Sequence, residues 1–320
     1  NGTSSFSAAG NLSDINAALD AATFTPTPNL NGTNAGTISF ITNDGTVSSS
    51  ATSVSFNITA VNDDPTISGL PTDITVSEDI ASNVDLSAAT LSDVDAGLNS
   101  IVLTISASAG TLTASSGGSV TIGGSGTGTL SLTGSVANID TYLNTSSNIK
   151  YTSASNVNGS DAATLTLTAN DGGYTGSGGG TNVSLGTVNV DITAVNDKPT
   201  ASSFTTSTIY ENTTYAFVTV NFGYSDDDGE PLDHVRITAV PANGSLWVDA
   251  DGSGTINGAE SALSNNGTVS KADLDAGKLK YLNTNGTSSS FTFDVSDGTD
   301  YSTSTYTATL TVTPEPTVTL

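Results

Sequence analysis

Between Asp249 and Glu260 the chain reads DADGSGTINGAE. Asp249, Asp251 and Ser253 stand at the first, third and fifth positions of this stretch, Gly254 at the sixth, Thr255 at the seventh, Asn257 at the ninth and Glu260 at the twelfth. That is the spacing of a calcium loop. Oxygen ligands on alternate residues wrap one ion, the seventh residue lends its carbonyl, glycine allows the sharp turn, and the last carboxylate closes the shell. The preceding GSLWV reads as a strand and not as the helix such a loop usually follows, so the expectation is a calcium loop inserted in a hairpin, with an acidic turn as the alternative. Other groups with chemical potential are sparse. His234 is the only imidazole, flanked by Asp233 and Arg236 on a strand-like stretch with no nucleophile motif, which suits a surface residue better than a general base. Acid pairs such as Asp226 and Asp228 lie too close in sequence to span a glycosidase cleft. Trp247 with Tyr210, Tyr224 and Tyr281 would make either a sugar-stacking platform or core packing, and an aromatic content of 6% favours the core.

Composition points the same way. Among 320 residues, 6 Lys and Arg stand against 31 Asp and Glu, a formal net charge of -25 that repels nucleic acid and anionic membranes and attracts cations. With no Cys, no Met and one His, disulfides, zinc clusters and thiol chemistry are excluded, and oxygen is the plentiful ligand. No apolar run reaches the length of a membrane helix, and no signal peptide is evident.

The elements that must carry these acids are repeated strands. ITAVNDDPTI begins at Ile58, ITAVNDKPTA at Ile192 and a weaker copy, LTVTPEPTVT, at Leu310. Upstream of each copy a second block recurs, aligned on Ile15, Ile139 and Leu274, on Phe24, Tyr151 and Tyr281, and on Asp44, Asp171 and Asp297. The repeat is about 130 residues long, the size of a β-sandwich domain. IVLTISAS, ATLTLTAN, VNVDITAV and YTATLTVTP alternate with period two between glycine, asparagine or proline breaks, as half-buried strands do. Helix is expected only as single turns such as SDINAAL, capped by Ser13. The expected domains are a partial unit over 1–64 that lacks roughly the first sixty residues of a sandwich, complete units over 65–198 and 199–314, and a tail over 315–320 that is either the first strand of a next unit or a donor strand. A half-sandwich would expose apolar faces and open strand edges, to which PTVTL of a neighbouring chain could add head to tail.

The AVND-x-P joints, an early SED or YEN, a DVD or DDDG, and a late NDG or SDG together resemble the cadherin-like tandem repeats of large bacterial surface adhesins. The third unit, with NGSLWV and KLKYLNTNGTSSSFTFDVSDG, is similar to the chondroitin-sulfate-proteoglycan type of that repeat. The resemblance implies an all-β fold of cadherin-like or Ig-like Greek-key β-sandwiches joined end to end, with Ca2+ held by carboxylates at the joints. Carried onto this chain, it implies that the first joint uses Asp44, Asn62 and Asp63 with Asp93 and Asp95. The second would use Glu78, Asp171, Asn196 and Asp197 with Asp226 and Asp228, and Glu211 with Asp297 would face the C-terminal joint, where Pro314–Glu315–Pro316 replaces Asn-Asp. The expected role is extracellular and non-enzymatic, part of an adhesin stalk or surface filament at the cell surface or secreted, with neighbouring copies or surface and matrix glycans as partners. A calcium-dependent carbohydrate-binding module is the alternative.

Overall fold

The computed structural model describes residues 4–316 and divides into two compact units, one ending at Thr193 and the other beginning at Ala194. Both are β-sandwiches, and the alternation in the sequence is the cause. In Ser100–Ala107 the side chains of Ile101, Leu103 and Ile105 all point inward and are fully buried, while the intervening residues face out.

In the first unit a six-stranded sheet runs in the order Asp73–Ser77, Val183–Thr193, Gly159–Asn170, Ser100–Ala107, Thr129–Ser135, Thr121–Gly123. Ser82–Asn83, Ile149–Thr152 and Thr111–Ala114 form a second sheet. The core comprises side chains from Val76 to Ile192. Strands adjacent in the large sheet are often distant in sequence, and Asp73–Ser77 joins Val183–Thr193 in parallel where the other pairs are antiparallel. Ser135 caps the helix Val136–Leu143 by accepting from the Asn138 amide, and Ile139, Tyr142 and Leu143 seal one edge of the core.

The second unit repeats the plan with five strands, Phe204–Thr205, Tyr306–Leu310, Ser289–Ser296, His234–Ala239 and Gly267–Ser270, and three more, Thr214–Phe217, Leu279–Leu282 and Ser245–Val248. Phe204, Phe217, Phe222, Phe291 and Phe293 meet in its core at tilted or edge-to-face angles. Trp247 and Tyr281 are also fully buried, so neither is open to stack on a sugar. Ser270 caps the short helix Lys271–Asp275, and Leu274 fills the place that Ile139 takes in the first unit.

Residues 4–64 contribute no side chain to either core. They form a helix, Leu12–Asp20, and one hairpin, Gly32–Phe40 with Thr52–Ile58. The helix has nine residues, more than the single turn expected, and its cap is Asn11, whose side chain accepts from the Asp14 amide, and not Ser13. Leu12, Phe40, Ile41 and Val54 are exposed. In the first full unit the equivalent hairpin is flanked by Ser100–Ala107 and Asp73–Ser77. The tail aligns instead with Thr66–Ser68, whose partner is Thr90–Ser92, and 4–64 contains no counterpart of that partner. The expected next-unit or donor strand falls on residues 315–320, of which 317–320 lie outside the described residues. Among the described residues no helix is long and apolar enough to cross a membrane.

Candidate metal centres

The acids gather at one end of each sandwich through the parity of its last strands. Gly159–Asn170 delivers Asp171, and Val183–Thr193 then returns antiparallel for eleven residues, about 33 Å, before the chain leaves the unit. Asp171 thus lies at the end of the hairpin opposite to the exit. There its Oδ1 accepts the Gly173 and Gly180 amides at 2.9 and 3.1 Å, and its Oδ2 accepts the Asn62 side-chain amide at 2.5 Å. Next to this contact the Asp63 amide donates to Asp95 Oδ2 at 3.0 Å, and Asp93 Oδ1 accepts the amides of Asp95 and Ala96.

The second unit uses the same bonds. Asn196 donates to Asp297 Oδ2 at 3.1 Å, the Asp197 amide to Asp228 Oδ2 at 2.6 Å, and the Asp228 amide to Asp226 Oδ1 at 3.0 Å. Asp297 follows Ser289–Ser296, and Tyr306–Leu310 returns from it, so it too lies opposite the chain exit.

This geometry corrects three assignments. Asp44, Asp171 and Asp297 were expected at the joint C-terminal to their own unit, but one more strand intervenes and places each at the N-terminal end. Asp44 sits in the turn between Gly32–Phe40 and Thr52–Ile58, at the end of that hairpin away from Asn62. Its Oδ1 accepts from Thr46 and Val47, and the Val47 amide with the Thr46 hydroxyl and amide lowers its carboxyl to about 2. The groupings Asn62–Asp63 with Asp93 and Asp95, and Asn196–Asp197 with Asp226 and Asp228, are brought together. Glu78 and Glu211 occupy the opposite ends. The Glu78 amide donates to the Thr193 carbonyl, and its buried carboxylate accepts from Asn158. The Glu211 amide donates to the Thr313 carbonyl, and its carboxylate accepts the Glu315 amide at 3.1 Å. Glu78 with Asp171 and Glu211 with Asp297 are therefore separated by the length of a strand pair.

The clusters concentrate carboxylates whose protonation the surroundings shift in both directions. Burial, together with the neighbouring Asp95 carboxylate, raises the Asp93 carboxyl. Burial also acts upward on Asp95, Asp171 and Asp297, but the hydrogen bonds each accepts outweigh it and hold all three below the ordinary range. Asp93 Oδ2, Asp95 Oδ1 and Asp226 Oδ2 are buried without a hydrogen-bond partner, a costly state for a carboxylate oxygen that a hard cation would relieve. Glu230, absent from the expected ligands, joins Asp226 and Asp228 with oxygens mutually within 4.8 Å, and burial with the Asp226 and Asp228 charges raises its carboxyl. Its signal was present in the run DDDGE. Burial and the charges of Asp226, Asp297 and Glu230 push up the adjacent Tyr224 phenol.

In the Asp249–Glu260 loop, Asp249, Asp251 and Glu260 bring oxygens within 4.8 Å of one another. Asp249 ends the strand Ser245–Val248 and donates its amide to the Lys278 carbonyl. The Ser253 hydroxyl donates to the Thr255 carbonyl at 3.0 Å and accepts the Asn257 side-chain amide at 2.8 Å, while the Ser253 amide donates to Asp251 Oδ1 at 2.9 Å. His234 has both ring nitrogens engaged, Nδ1 with Asp233 at 2.6 Å and Nε2 with the Tyr301 hydroxyl at 2.7 Å. Arg236 lies over the Tyr301 ring and pairs with the buried Asp294.

No protein-family model matches the chain, and no curated protein matches it in sequence. Similar solved structures include mouse protocadherin-24 EC1-3, at 13% identity over 87% of this chain and 79% of that one, with a TM-score of 0.36. Human protocadherin-24 EC1-2 has 12% identity over 80% of this chain and 100% of that one, TM-score 0.31. The C-terminal domain of the Streptococcus agalactiae AgI/II polypeptide BspA has 8% identity over 78% and 99%, TM-score 0.25.

Proposed function

We propose that the chain is a stretch of an extracellular, non-enzymatic adhesive repeat protein whose β-sandwiches bind calcium at their linker-proximal ends. The observation that carries this reading is the recurrence of one constellation in two independently folded units: a linker Asn donating to the Asp after the penultimate long strand, and a linker Asp amide donating to the second acid of a D-x-D. The buried, partnerless oxygens within this repeated constellation suit a cation that takes six to eight oxygen ligands in flexible geometry. Magnesium, with its stricter octahedron, suits them less. Calcium would cancel carboxylate repulsion and fasten each linker to the sandwich that follows it, giving a stalk or surface filament with a defined length. Neighbouring copies or surface glycans are the partner classes this role favours.

At dissociation constants of about 0.1–1 mM, millimolar calcium contributes only about 0.4–1.4 kcal/mol per site, so the effect is on shape more than on fold. Small-angle scattering with and without a chelator tests the reading. A longer, more uniform particle in calcium is expected, and a scattering profile and melting temperature that chelation leaves unchanged would overturn it.

A further inference from the structure

The strongest feature outside the linker clusters is the Asp249–Glu260 loop. Three acids close together do not make a site, but here the first of them is almost wholly enclosed: Asp249 is 2% exposed. Its Oδ2 accepts the Gly254 amide across the loop at 3.1 Å, while its Oδ1 is buried without a partner. Glu260 is held in the same manner. Its Oε1 accepts the Ala250 amide at 2.6 Å, which folds the carboxylate back over the loop, and its Oε2 is likewise buried and partnerless. The two carboxylates, each held by a hydrogen bond to one oxygen and each leaving the other buried without a donor, bring oxygens within 4.8 Å of one another and of the Asp251 carboxylate. An orphan carboxylate oxygen in a protein interior is costly, and a cation held between two such carboxylates would relieve both. Lys278, whose carbonyl accepts the Asp249 amide, has its ammonium paired with Asp273. The remaining ligands are in place on the other side. The Ser253 hydroxyl, the Thr255 carbonyl and the Asn257 side chain already touch one another and need only turn a hydroxyl hydrogen and an amide to present oxygen.

We propose that Asp249–Glu260 is a divalent-cation site separate from the linker clusters, that it prefers calcium to magnesium, and that its occupancy fastens the Trp247 end of the Ser245–Val248 strand. The preference follows from the ligands. Carboxylates, a carbonyl and an amide on a twelve-residue loop give an adaptable shell of many oxygens, which fits calcium, whereas magnesium keeps its waters and a strict octahedron. The fastening follows from position. Asp249 follows Trp247 by two residues, Trp247 bridges to Ala262 just beyond Glu260, and the Leu263 amide bonds the Leu246 carbonyl, so the ion would close the base of the insertion.

Trp247 is the only tryptophan in the chain, which makes the site directly readable. Terbium, a calcium surrogate with sensitised emission, is added to the full chain and excited where tryptophan alone absorbs. Saturable emission is expected, displaced by calcium at much lower concentration than by magnesium. It should be lost in Asp249→Asn and in Glu260→Gln, two isosteric changes whose near-ultraviolet dichroism of Trp247 shows that the fold is kept. It should persist in Asp95→Asn and Asp228→Asn, which alter only the linker clusters, so failure here and failure of the linker reading are distinguishable. Emission that is absent, that survives both loop variants, or that magnesium displaces as readily as calcium overturns the proposal.

Discussion

Asp228→Asn should reverse its effect on stability as calcium is added. Asp228 and Asp226 bring carboxylate oxygens within 4.8 Å, and even with water's dielectric constant two unit charges at that distance repel by about 0.9 kcal/mol. Asparagine removes that repulsion yet keeps an oxygen to accept the Asp197 amide, so the calcium-free unit gains about 0.9 kcal/mol at low ionic strength. The wild-type unit recovers stability only through the ion: about 0.4–1.4 kcal/mol near 1 mM calcium and about 1.4–2.7 near 10 mM, for dissociation constants of about 0.1–1 mM. The two melting curves should therefore cross at about 0.4–4 mM calcium, where the ion's contribution reaches about 0.9 kcal/mol. A kilocalorie corresponds to about 4 °C for a unit of this size, so the variant melts about 3–4 °C higher in chelator and lower than wild type in 10 mM calcium. Scanning calorimetry with Trp247 fluorescence, which reports the second unit alone, measures both. A variant less stable than wild type in chelator would show that Asp228 acts by its hydrogen bond and not by its charge. Parallel curves at every calcium concentration would remove the ion from the account.

Acidification of the calcium-free protein should first stabilise and then destabilise it. Asp93 and Glu230 have raised carboxyls, so the folded state takes up protons first and gains stability as pH falls through the range just above their ordinary values; Asp171 and Asp297 have lowered carboxyls, so the stability they contribute is lost below about pH 3.8 as pH falls through their folded values. A melting temperature that falls monotonically from neutrality in chelator would contradict this, and in calcium the initial rise should vanish because protons then compete with the ion. Gly179→Ala should weaken calcium binding by the first unit only, because Gly179 has φ of +73° and a Cβ there would lie 2.4 Å from Asn62 Nδ2, driving that amide off Asp171. Gly178→Ala, also at positive φ but with open space around it, carries a comparable strain cost of about 1–3 kcal/mol without touching Asn62, so calorimetric titration of the pair separates strain from displacement.

Much of this was legible in the sequence. Period-two runs such as IVLTISAS located the strands because a sheet buried on one face demands that alternation, and the resemblance to cadherin-like repeats set Asn62–Asp63 beside the D-x-D that follows. The misplaced acids share one cause. NDG and SDG precede a last strand, so an odd number of strands separates Asp44, Asp171 and Asp297 from the following linker, and they end at the far pole. Counting strands from the aspartate to the linker would have placed them. Glu230 lies two residues beyond the D-x-D, outside that spacing, and joins the acids across the turn at Gly229, which has φ of +81°. The burial of Asp249 could not be read locally, since it depends on Lys278 and the strand Leu279–Leu282 closing over it from elsewhere in the chain.

The linkers themselves are gripped in two chemically different ways. Residues 60–62 exchange backbone hydrogen bonds with Ser177, a close approach possible because a Cβ on Gly176 would collide with the Ala60 carbonyl at 2.3 Å. In the second unit Lys198 reaches Asp300 at 3.4 Å, with both side chains largely exposed. Under tension the first grip would yield only by peeling main-chain bonds that dissolved salt barely affects, whereas the second rests in part on a surface ion pair that salt screens. A string built from such units would then respond to pulling unevenly, with its softest points set by ionic strength and not by the strength of its cores.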